Sequence, residues 1–211
     1  MPFADCTGIV LAGGLSTRWG CSKADVTWRG QTLLSHVVER LRTVSSEVIA
    51  VARREQQTSH WPVDRVVHDD PTLPAGPLRG IVGGLGACRT SLAFVLSCDT
   101  PGVHPALLMA LRDRLTPGGL GVMAEWDDRI QPLVALYAIA ARRPLEDSLR
   151  RGEQSPTRAL ATLPLRILSA SECRDVDPLG LSFMNLNTPG DLARLESTLV
   201  SASDGAVHSV G

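Results

Sequence analysis

The chain has 211 residues and a mass of 22.5 kDa, with 44% hydrophobic and 20% charged residues, which is typical of one globular domain and excludes a disordered chain. The net charge of −1 gives no broad positive surface for nucleic acid or for an acidic membrane. Because no apolar stretch reaches the ~18 residues that span a bilayer, and because the N-terminus lacks the basic start of a signal peptide, we expect a cytoplasmic protein.

Strands and helices are predicted to alternate along most of the chain. Short apolar, β-branched runs predict buried strands, and amphipathic stripes predict helices. The predicted strands are 7–12, 48–52, 65–68, 92–97, 120–124 and 133–138. The predicted helices are 31–44, 77–88, one from Pro105, 142–151, one after Pro156, and one from Pro189 with Thr188 as its N-cap and Asp191 completing a capping box.

This alternation predicts a single α/β domain, residues 1–199, with a mostly parallel central sheet and helices on both faces. Residues 200–211 are small and polar and are predicted to form a disordered tail. In such sheets ligands bind beyond the carboxyl ends of the strands. The residues that directly follow the first four strands are therefore the candidate site.

A glycine-rich loop from Gly13 to Lys23 follows the first strand. Gly13 and Gly14 let backbone N–H groups approach an anion, and Arg18 and Lys23, the only lysine of the chain, add positive charge. The glycine spacing matches neither a Walker A loop nor the dinucleotide-binding fingerprint. The pattern favours a phosphate-binding loop over the alternative, an ordinary tight turn.

Aspartates follow the carboxyl ends of two of the predicted strands. Asp99 follows the strand 92–97, where it is placed to bind Mg²⁺ shared with phosphate oxygens or, alternatively, to cap the next helix. Asp69 and Asp70 follow the strand 65–68 and can bind a ribose or a metal, although Asp70 before a proline is also ordinary turn chemistry.

Two further positions, Gly80 and Asn187, have two interpretations each. Gly80 either belongs to a helix start or lets a base or sugar lie against the helix terminus. Asn187 either caps the last helix or, like Asn185, binds a polar substrate. Five cysteines and five histidines show no metal-ligand spacing, so any metal is expected to be a hard, oxygen-bound ion.

Five stretches together resemble the MobA-like nucleotidylyltransferases. Residues 11–24 read LAGGLSTRWGCSKA, close to the family pattern LAGG-x-S-x-R-M-G-x-D-K-A. GPLRG at 76–80, LSCDTP at 96–101, DDRIQPLVALY at 127–137 and FMNLNTPGDL at 183–192 follow in the family's order. The resemblance covers roughly residues 7–199 and implies a Rossmann-like nucleotidyltransferase fold.

The resemblance is nearest to the members that make the guanine dinucleotide form of molybdenum cofactor. It implies that the chain transfers GMP from GTP to molybdopterin carrying molybdenum and releases pyrophosphate, with Mg²⁺ as the cofactor. The implied catalytic residues are Lys23, Arg18 and Asp99, with Asp99 as the metal ligand. The implied substrate-binding residues are Leu11, Ala12, Gly13, Gly14, Lys23, Asp69, Gly80, Asn185 and Asn187. Transient contact with proteins of molybdenum insertion or molybdoenzyme maturation is also implied.

Three positions depart from the family pattern: Trp19 replaces Met, Ser22 replaces an acidic residue, and Val51 stands where Asn is common near the nucleoside. Gly13 bears on base choice, because cytidylyl relatives usually have Ala there. The alternatives are a cytidylyl- or sugar-1-phosphate nucleotidylyltransferase and a GTP-binding module without turnover.

Overall fold

The computed structural model describes residues 1–14 and 19–207. The strands are β1 (Phe3–Leu11), β2 (Thr27–Trp28), β3 (Gln31–Thr32), β4 (Ser45–Ala52), β5 (Arg65–His68), β6 (Leu92–Ser97), β7 (Gly121–Trp126), β8 (Arg129–Ala138) and β9 (Arg166–Leu168). The α-helices are α1 (Leu33–Arg42), α2 (Pro77–Ala87), α3 (Pro105–Arg114), α4 (Arg142–Arg150), α5 (Pro156–Ala161), α6 (Ala170–Val176) and α7 (Pro189–Val207). Single 3₁₀ turns are at Lys23–Asp25, Ile139–Ala141 and Leu181–Phe183.

The main sheet has seven strands in the order β5-β4-β1-β6-β8-β7-β9. The first four are parallel, and β8 runs antiparallel to both of its neighbours. The reversal follows from a two-residue turn between β7 and β8, where Asp127 and Asp128 have φ of 48° and 58°, as a tight hairpin requires. The prediction of a mostly parallel sheet in one α/β domain is confirmed.

Apolar layers cover both faces of this sheet because neighbouring strand residues point to opposite sides. In β1, Val10 belongs to the core that contains α1 and α3, whereas Ile9 belongs to the core that contains α2 and α4. Both side chains are fully buried. Both faces of the central strands are therefore closed to a ligand, which must bind at the ends of the strands.

Some short strands and one helix of the structure were not predicted from the sequence. The hairpin β2–β3 has two residues in each strand and β9 has three, too few to show a period. Helix α6 begins with a capping box of Ser169 and Glu172, a pattern that was readable in the sequence. The helix predicted to start at residue 31 starts at Leu33, because the side chain of Thr32 caps it.

The last helix extends beyond residue 199, the predicted end of the domain. Helix α7 continues to Val207, and the domain end at residue 199 and the disordered tail stay predictions. Extending an existing helix adds one hydrogen bond for each residue that is ordered, which favours continuation past the last packed turn. Residues 208–211 lie outside the described part of the chain.

No helix in the described residues is long and apolar enough to cross a membrane.

Close packing of α2 on the sheet gives the first testable prediction. A Cβ added to Gly84 would lie 2.7 Å from Cγ2 of Ile9, whereas one added to Gly83 would have 3.8 Å to its nearest neighbour, Asp69 Cα. We expect Gly84→Ala to lower the free energy of unfolding by about 1–3 kcal/mol through overpacking. The matched variant Gly83→Ala should raise it by up to about 1 kcal/mol, because alanine favours the helix.

Chemical denaturation of the two variants measures both changes. Equal effects of the two substitutions would show that the contact with Ile9 is not what requires glycine at residue 84.

Candidate functional site

A cleft of about 390 Å³ opens at the carboxyl ends of β1, β4 and β5, beside the start of α2. Its floor and walls are mostly apolar or backbone, with three charged side chains. The lining residues are Leu11, Gly13, Gly14, Val51, Arg53, Asp69, Ala75, Gly76, Pro77, Arg79, Gly80, Ser97 and Leu133. The position is the edge of the sheet at which the alternating pattern predicts ligand binding.

Five of the residues that the sequence analysis selected for nucleotide binding line this cleft. They are Leu11, Gly13, Gly14, Asp69 and Gly80. Gly80 also allows α2 to approach β1 closely, because an added Cβ would lie 3.2 Å from Cδ2 of Leu11. The backbone therefore forms much of the cleft wall, and side chains at these positions would narrow it.

Ala12 is placed differently from its neighbours. It is buried, its N–H donates to the carbonyl of Val51 at 2.9 Å, and its carbonyl accepts from Nε2 of Gln56 at 2.9 Å. Both backbone groups of Ala12 thus hold the end of β1 against β4 and the following loop.

A second group of polar residues, Lys23, Asp99 and Asn187, lies at the end of β6. Nζ of Lys23 donates to Oδ2 of Asp99 at 2.7 Å and to Oδ1 of Asn187 at 2.6 Å. The Lys23 and Asp99 side chains are 16% and 14% exposed, so solvent reaches this ion pair while screening it less than an exposed one. Asp99 follows Ser97, which lines the cleft, so the cluster and the cleft adjoin.

Asp99 has an unusual environment for a carboxylate. Its Oδ1 is buried and accepts no hydrogen bond from the described residues. The next helix, α3, is capped instead by His104, whose Nδ1 accepts from the N–H of Ala106 at 3.2 Å. A buried carboxylate oxygen without a donor is costly unless a ligand or ion satisfies it. Asp99 therefore has a free coordination position that its alternative role as a helix cap does not use.

The donor set near Asp99 fits a magnesium ion that is shared with a substrate. Within the described residues, no three His, Cys, Asp or Glu side chains cluster as a metal site. Mg²⁺ is commonly held by one or two carboxylates together with substrate phosphates and water. Cys98 is buried, and this burial raises the pKa of its thiol, so the thiol stays protonated next to Asp99.

Asn187 is positioned by the start of α7. Oδ2 of Asp191 accepts from the N–H groups of Asn187 and Thr188, at 3.0 and 2.8 Å, and Thr188 Oγ1 accepts from the N–H of Asp191 at 3.2 Å. The predicted capping box is confirmed. It fixes the backbone of Asn187, whose side chain then reaches Lys23.

The Thr188 hydroxyl also donates to Oδ2 of Asp191 at 2.9 Å, and this bond, together with those from the N–H groups of Asn187 and Thr188, lowers the pKa of Asp191 below its usual range. A lowered folded-state pKa stabilises the protein above the ordinary aspartate pKa of about 3.9, and this stabilisation is lost as the pH falls through the folded value. We expect Asp191→Asn to cost about 1 kcal/mol of unfolding free energy at pH 7. The difference from wild type should shrink below about pH 4.

Thermal melts of wild type and Asp191→Asn between pH 7 and pH 3 measure this, with exposed Asp175→Asn as the control. A stability difference that stays constant over that range would contradict a role of the Asp191 charge.

The turn that carries Lys23 is held by the loop between β4 and β5. Oδ1 of Asp25 accepts from Nε1 of Trp61 at 2.9 Å and lies 2.8 Å from Nε2 of His60. Nε2 of Gln56 donates to Oγ of Ser22 at 3.3 Å. The sequence analysis missed these supporting residues, because nothing in their own spacing connects them to residues 22–25.

Two arginines of the cleft were also missed as site residues. Nε of Arg79 donates to Oδ2 of Asp69 at 2.8 Å, and its Nη1 donates to the carbonyl of Leu73 at 3.1 Å. Arg53 directly follows β4, at the end of a parallel strand, where ligands bind in such sheets.

Of the two interpretations of Asp70, the structure shows the turn: its Oδ1 accepts from the N–H of Thr72 at 2.9 Å.

Asn185 lines a separate cavity of about 150 Å³ next to the cluster, together with Thr100, Gln131 and Phe183. Leu133 lines both this cavity and the cleft, so the two spaces are adjacent. Arg18, predicted to be catalytic, lies outside the described residues.

The chain is similar in sequence to known nucleotidyltransferases. A family model described as "MobA-like NTP transferase domain" matches residues 8–167. A molybdenum cofactor guanylyltransferase of Pseudomonas fluorescens is 34% identical over 193 residues, which cover 89% of this chain and 92% of that protein. A probable molybdenum cofactor guanylyltransferase of Opitutus terrae is 39% identical over 160 residues, 74% of this chain and 78% of that protein.

A solved structure is similar over the same extent. Molybdopterin-guanine dinucleotide biosynthesis protein A from Archaeoglobus fulgidus superposes with a TM-score of 0.78 at 27% identity, covering 92% of this chain and 99% of that one.

Proposed function

Since the chain belongs to the MobA-like NTP transferase family, we propose that it transfers GMP from GTP to molybdopterin carrying molybdenum and releases pyrophosphate. The observation that carries the proposal is the cluster of Lys23, Asp99 and Asn187 at the end of β6, beside a mostly apolar cleft at the carboxyl ends of β1, β4 and β5. The cleft is suited to a nucleoside and the cluster to its phosphates. The family and the molybdenum cofactor guanylyltransferases named above support this assignment.

In the proposed reaction, a phosphate oxygen of the acceptor attacks the α-phosphorus of GTP, the new P–O bond forms, and the bond to pyrophosphate breaks. The attacking phosphate is already ionised at pH 7, so the protein needs no general base. Its task is to align the two phosphates and to neutralise their charge. One ammonium about 4 Å from a phosphate oxygen contributes roughly 4 kcal/mol at an effective dielectric constant of about 20.

Lys23 supplies that ammonium, with Arg18 as the second cation in the proposal. In the structure Nζ of Lys23 is held by Asp99 and Asn187 at the edge of the cleft. The ammonium is therefore already in position before substrate binds, so the Lys23 side chain does not have to reorganise during the reaction.

Asp99 would hold Mg²⁺ through its carboxylate, whose Oδ1 has no donor among the described residues. When bound, the ion would neutralise charge on the phosphate oxygens and on the leaving pyrophosphate. Asp99 thereby fixes the position of the phosphates relative to Lys23.

The base would lie in the cleft against Leu11, Gly13 and Gly80, with Asp69 as a carboxylate acceptor for its N–H groups. The acceptor would enter from the side of the smaller cavity, where Asn185 and Gln131 present amide groups. Because the product is a labile cofactor, transient contact with maturation proteins forms part of the same proposal.

The test is incubation of the protein with GTP, Mg²⁺ and molybdenum-loaded molybdopterin, followed by mass detection of the guanine dinucleotide and measurement of pyrophosphate. CTP, ATP and sugar 1-phosphates serve as competitors. Faster pyrophosphate release with CTP or with a sugar phosphate would favour the cytidylyl or sugar alternative. GTP binding without pyrophosphate release with any acceptor would identify a binding module.

A further inference from the structure

Arg53 is placed to read the nucleotide base. It follows the last residue of β4, Ala52, and its side chain lines the cleft. Val51, two residues earlier and therefore on the same side of the strand, also lines the cleft but is buried and has no hydrogen-bonding group. Arg53 is thus the residue at this end of β4 that can offer a hydrogen bond to a ligand in the cleft.

The guanidinium of Arg53 has no partner within the described part of the chain. Its Nε is buried without a hydrogen bond, whereas its backbone N–H is fixed by Oε1 of Gln56 at 2.8 Å. Arg79, the other arginine of the cleft, in contrast already donates through Nε to Asp69 and through Nη1 to the carbonyl of Leu73. A buried donor that is left unsatisfied while its backbone is held indicates a missing ligand acceptor.

Gly13 passes directly over the stem of Arg53. A Cβ added to Gly13 would lie 3.5 Å from Cγ of Arg53 and 3.7 Å from its backbone nitrogen. Both distances are ordinary van der Waals contacts, so residue 13 lies directly against the Arg53 side chain. Gly13, the position at which cytidylyl relatives usually have Ala, is therefore next to a side chain that can hydrogen-bond to the base.

Arg53 lies some distance from Lys23 and Asp99, the residues proposed to bind the phosphates. The strand order places β4 and β6 on opposite sides of β1. Arg53 follows β4 and Asp99 follows β6, so roughly two strand spacings, about 10 Å, separate their backbones. With the phosphates of a nucleotide at Lys23 and Asp99, this separation leaves room for the nucleoside, so the base can lie next to Arg53.

We propose that Arg53 donates to O6 and N7 of guanine and so selects GTP; this inference rests on the proposed function. Arginine pairs with these two acceptors in a bidentate manner. Adenine presents an amino group in place of O6, and cytosine presents an amino group at C4, so neither offers the same pair of acceptors. Asp69 follows the neighbouring strand β5 and also lines the cleft, where its Oδ1 is a complementary acceptor for the N–H groups of guanine while Oδ2 accepts from Arg79.

The test compares GTP with 7-deaza-GTP, which keeps O6 and lacks N7. Binding is measured by calorimetry without acceptor, for wild type, Arg53→Met and the exposed neighbour control Arg54→Met. Methionine keeps an apolar stem below Gly13 and removes the donors. We expect wild type to bind GTP more tightly than 7-deaza-GTP, and Arg53→Met to bind GTP about tenfold to a hundredfold more weakly.

The decisive expectation is that Arg53→Met binds GTP and 7-deaza-GTP equally, while Arg54→Met keeps the wild-type ratio. An unchanged ratio in Arg53→Met, or equal binding of both nucleotides by wild type, would overturn the inference. Equal weakening of GTP, CTP and tripolyphosphate by Arg53→Met would show a phosphate contact and overturn it too. Each of these outcomes leaves GMP transfer intact, whereas absence of GTP binding to wild type would refute the proposed function and this inference together.

Discussion

Replacing Lys23 with alanine should lower turnover about 10²–10³-fold while the protein stays folded. The ammonium is held 2.7 Å from Asp99 and 2.6 Å from Asn187, at the edge of the nucleotide cleft. Its loss removes the positive charge that offsets the charge of the phosphates and leaves the Asp99 carboxylate without this cation. The repulsion between Asp99 and a triphosphate adds to the loss.

Pyrophosphate release at saturating substrate measures the effect, with circular dichroism to verify folding. The matched control is Arg143→Ala, which removes one positive charge from the exposed surface of α4. Lys23→Arg should recover only part of the activity, because a planar guanidinium does not replace a compact ammonium between two close acceptors. Turnover near wild type in Lys23→Ala would remove this residue from the mechanism.

Asp99→Asn should lower turnover about 10³-fold or more, because a metal contribution of several kcal/mol is lost. The substitution keeps the shape of the side chain and removes its charge. The variant should stay folded, because an amide oxygen can still accept from Nζ of Lys23 as Oδ2 of Asp99 does, and because the charge on Oδ1, buried without a donor in the described residues, is removed.

Activity is measured as a function of Mg²⁺ concentration for Asp99→Asn and for Asp113→Asn, an exposed aspartate of α3. We expect the Asp99 variant to need much more Mg²⁺ for its residual activity, and the control to follow wild type. A variant that retains both its activity and its metal requirement would show that Asp99 is not the ligand.

The cleft and the cluster explain why departures from the family pattern are compatible with nucleotide binding. Val51 offers no hydrogen bond, but Arg53, on the same side of the strand end, does. Ser22 accepts a hydrogen bond from Gln56 at 3.3 Å, so this position still helps to hold the turn before Lys23. The nucleotide contacts of this chain are therefore expected to differ in detail from those of relatives.

Local features were predictable because they depend on neighbouring residues. Hydrophobic periodicity located β5 and β6 to the residue, and proline with a capping pattern located the start of α7. The rule that ligands bind beyond the carboxyl ends of parallel strands pointed to the loop after β1 and to Asp69 and Asp99. The sequence alone thus determined the fold class and the edge of the sheet at which the site lies.

The tertiary structure decided which of these residues meet. Lys23 pairs with Asp99, 76 residues away, and with Asn187, 164 residues away. The ion pair of Arg79 with Asp69, the unpartnered Nε of Arg53 and the engaged backbone of Ala12 are likewise set by the order of strands in the sheet. Spacing along the chain carries no record of that order, because side-chain contacts depend on which strands and loops pack side by side.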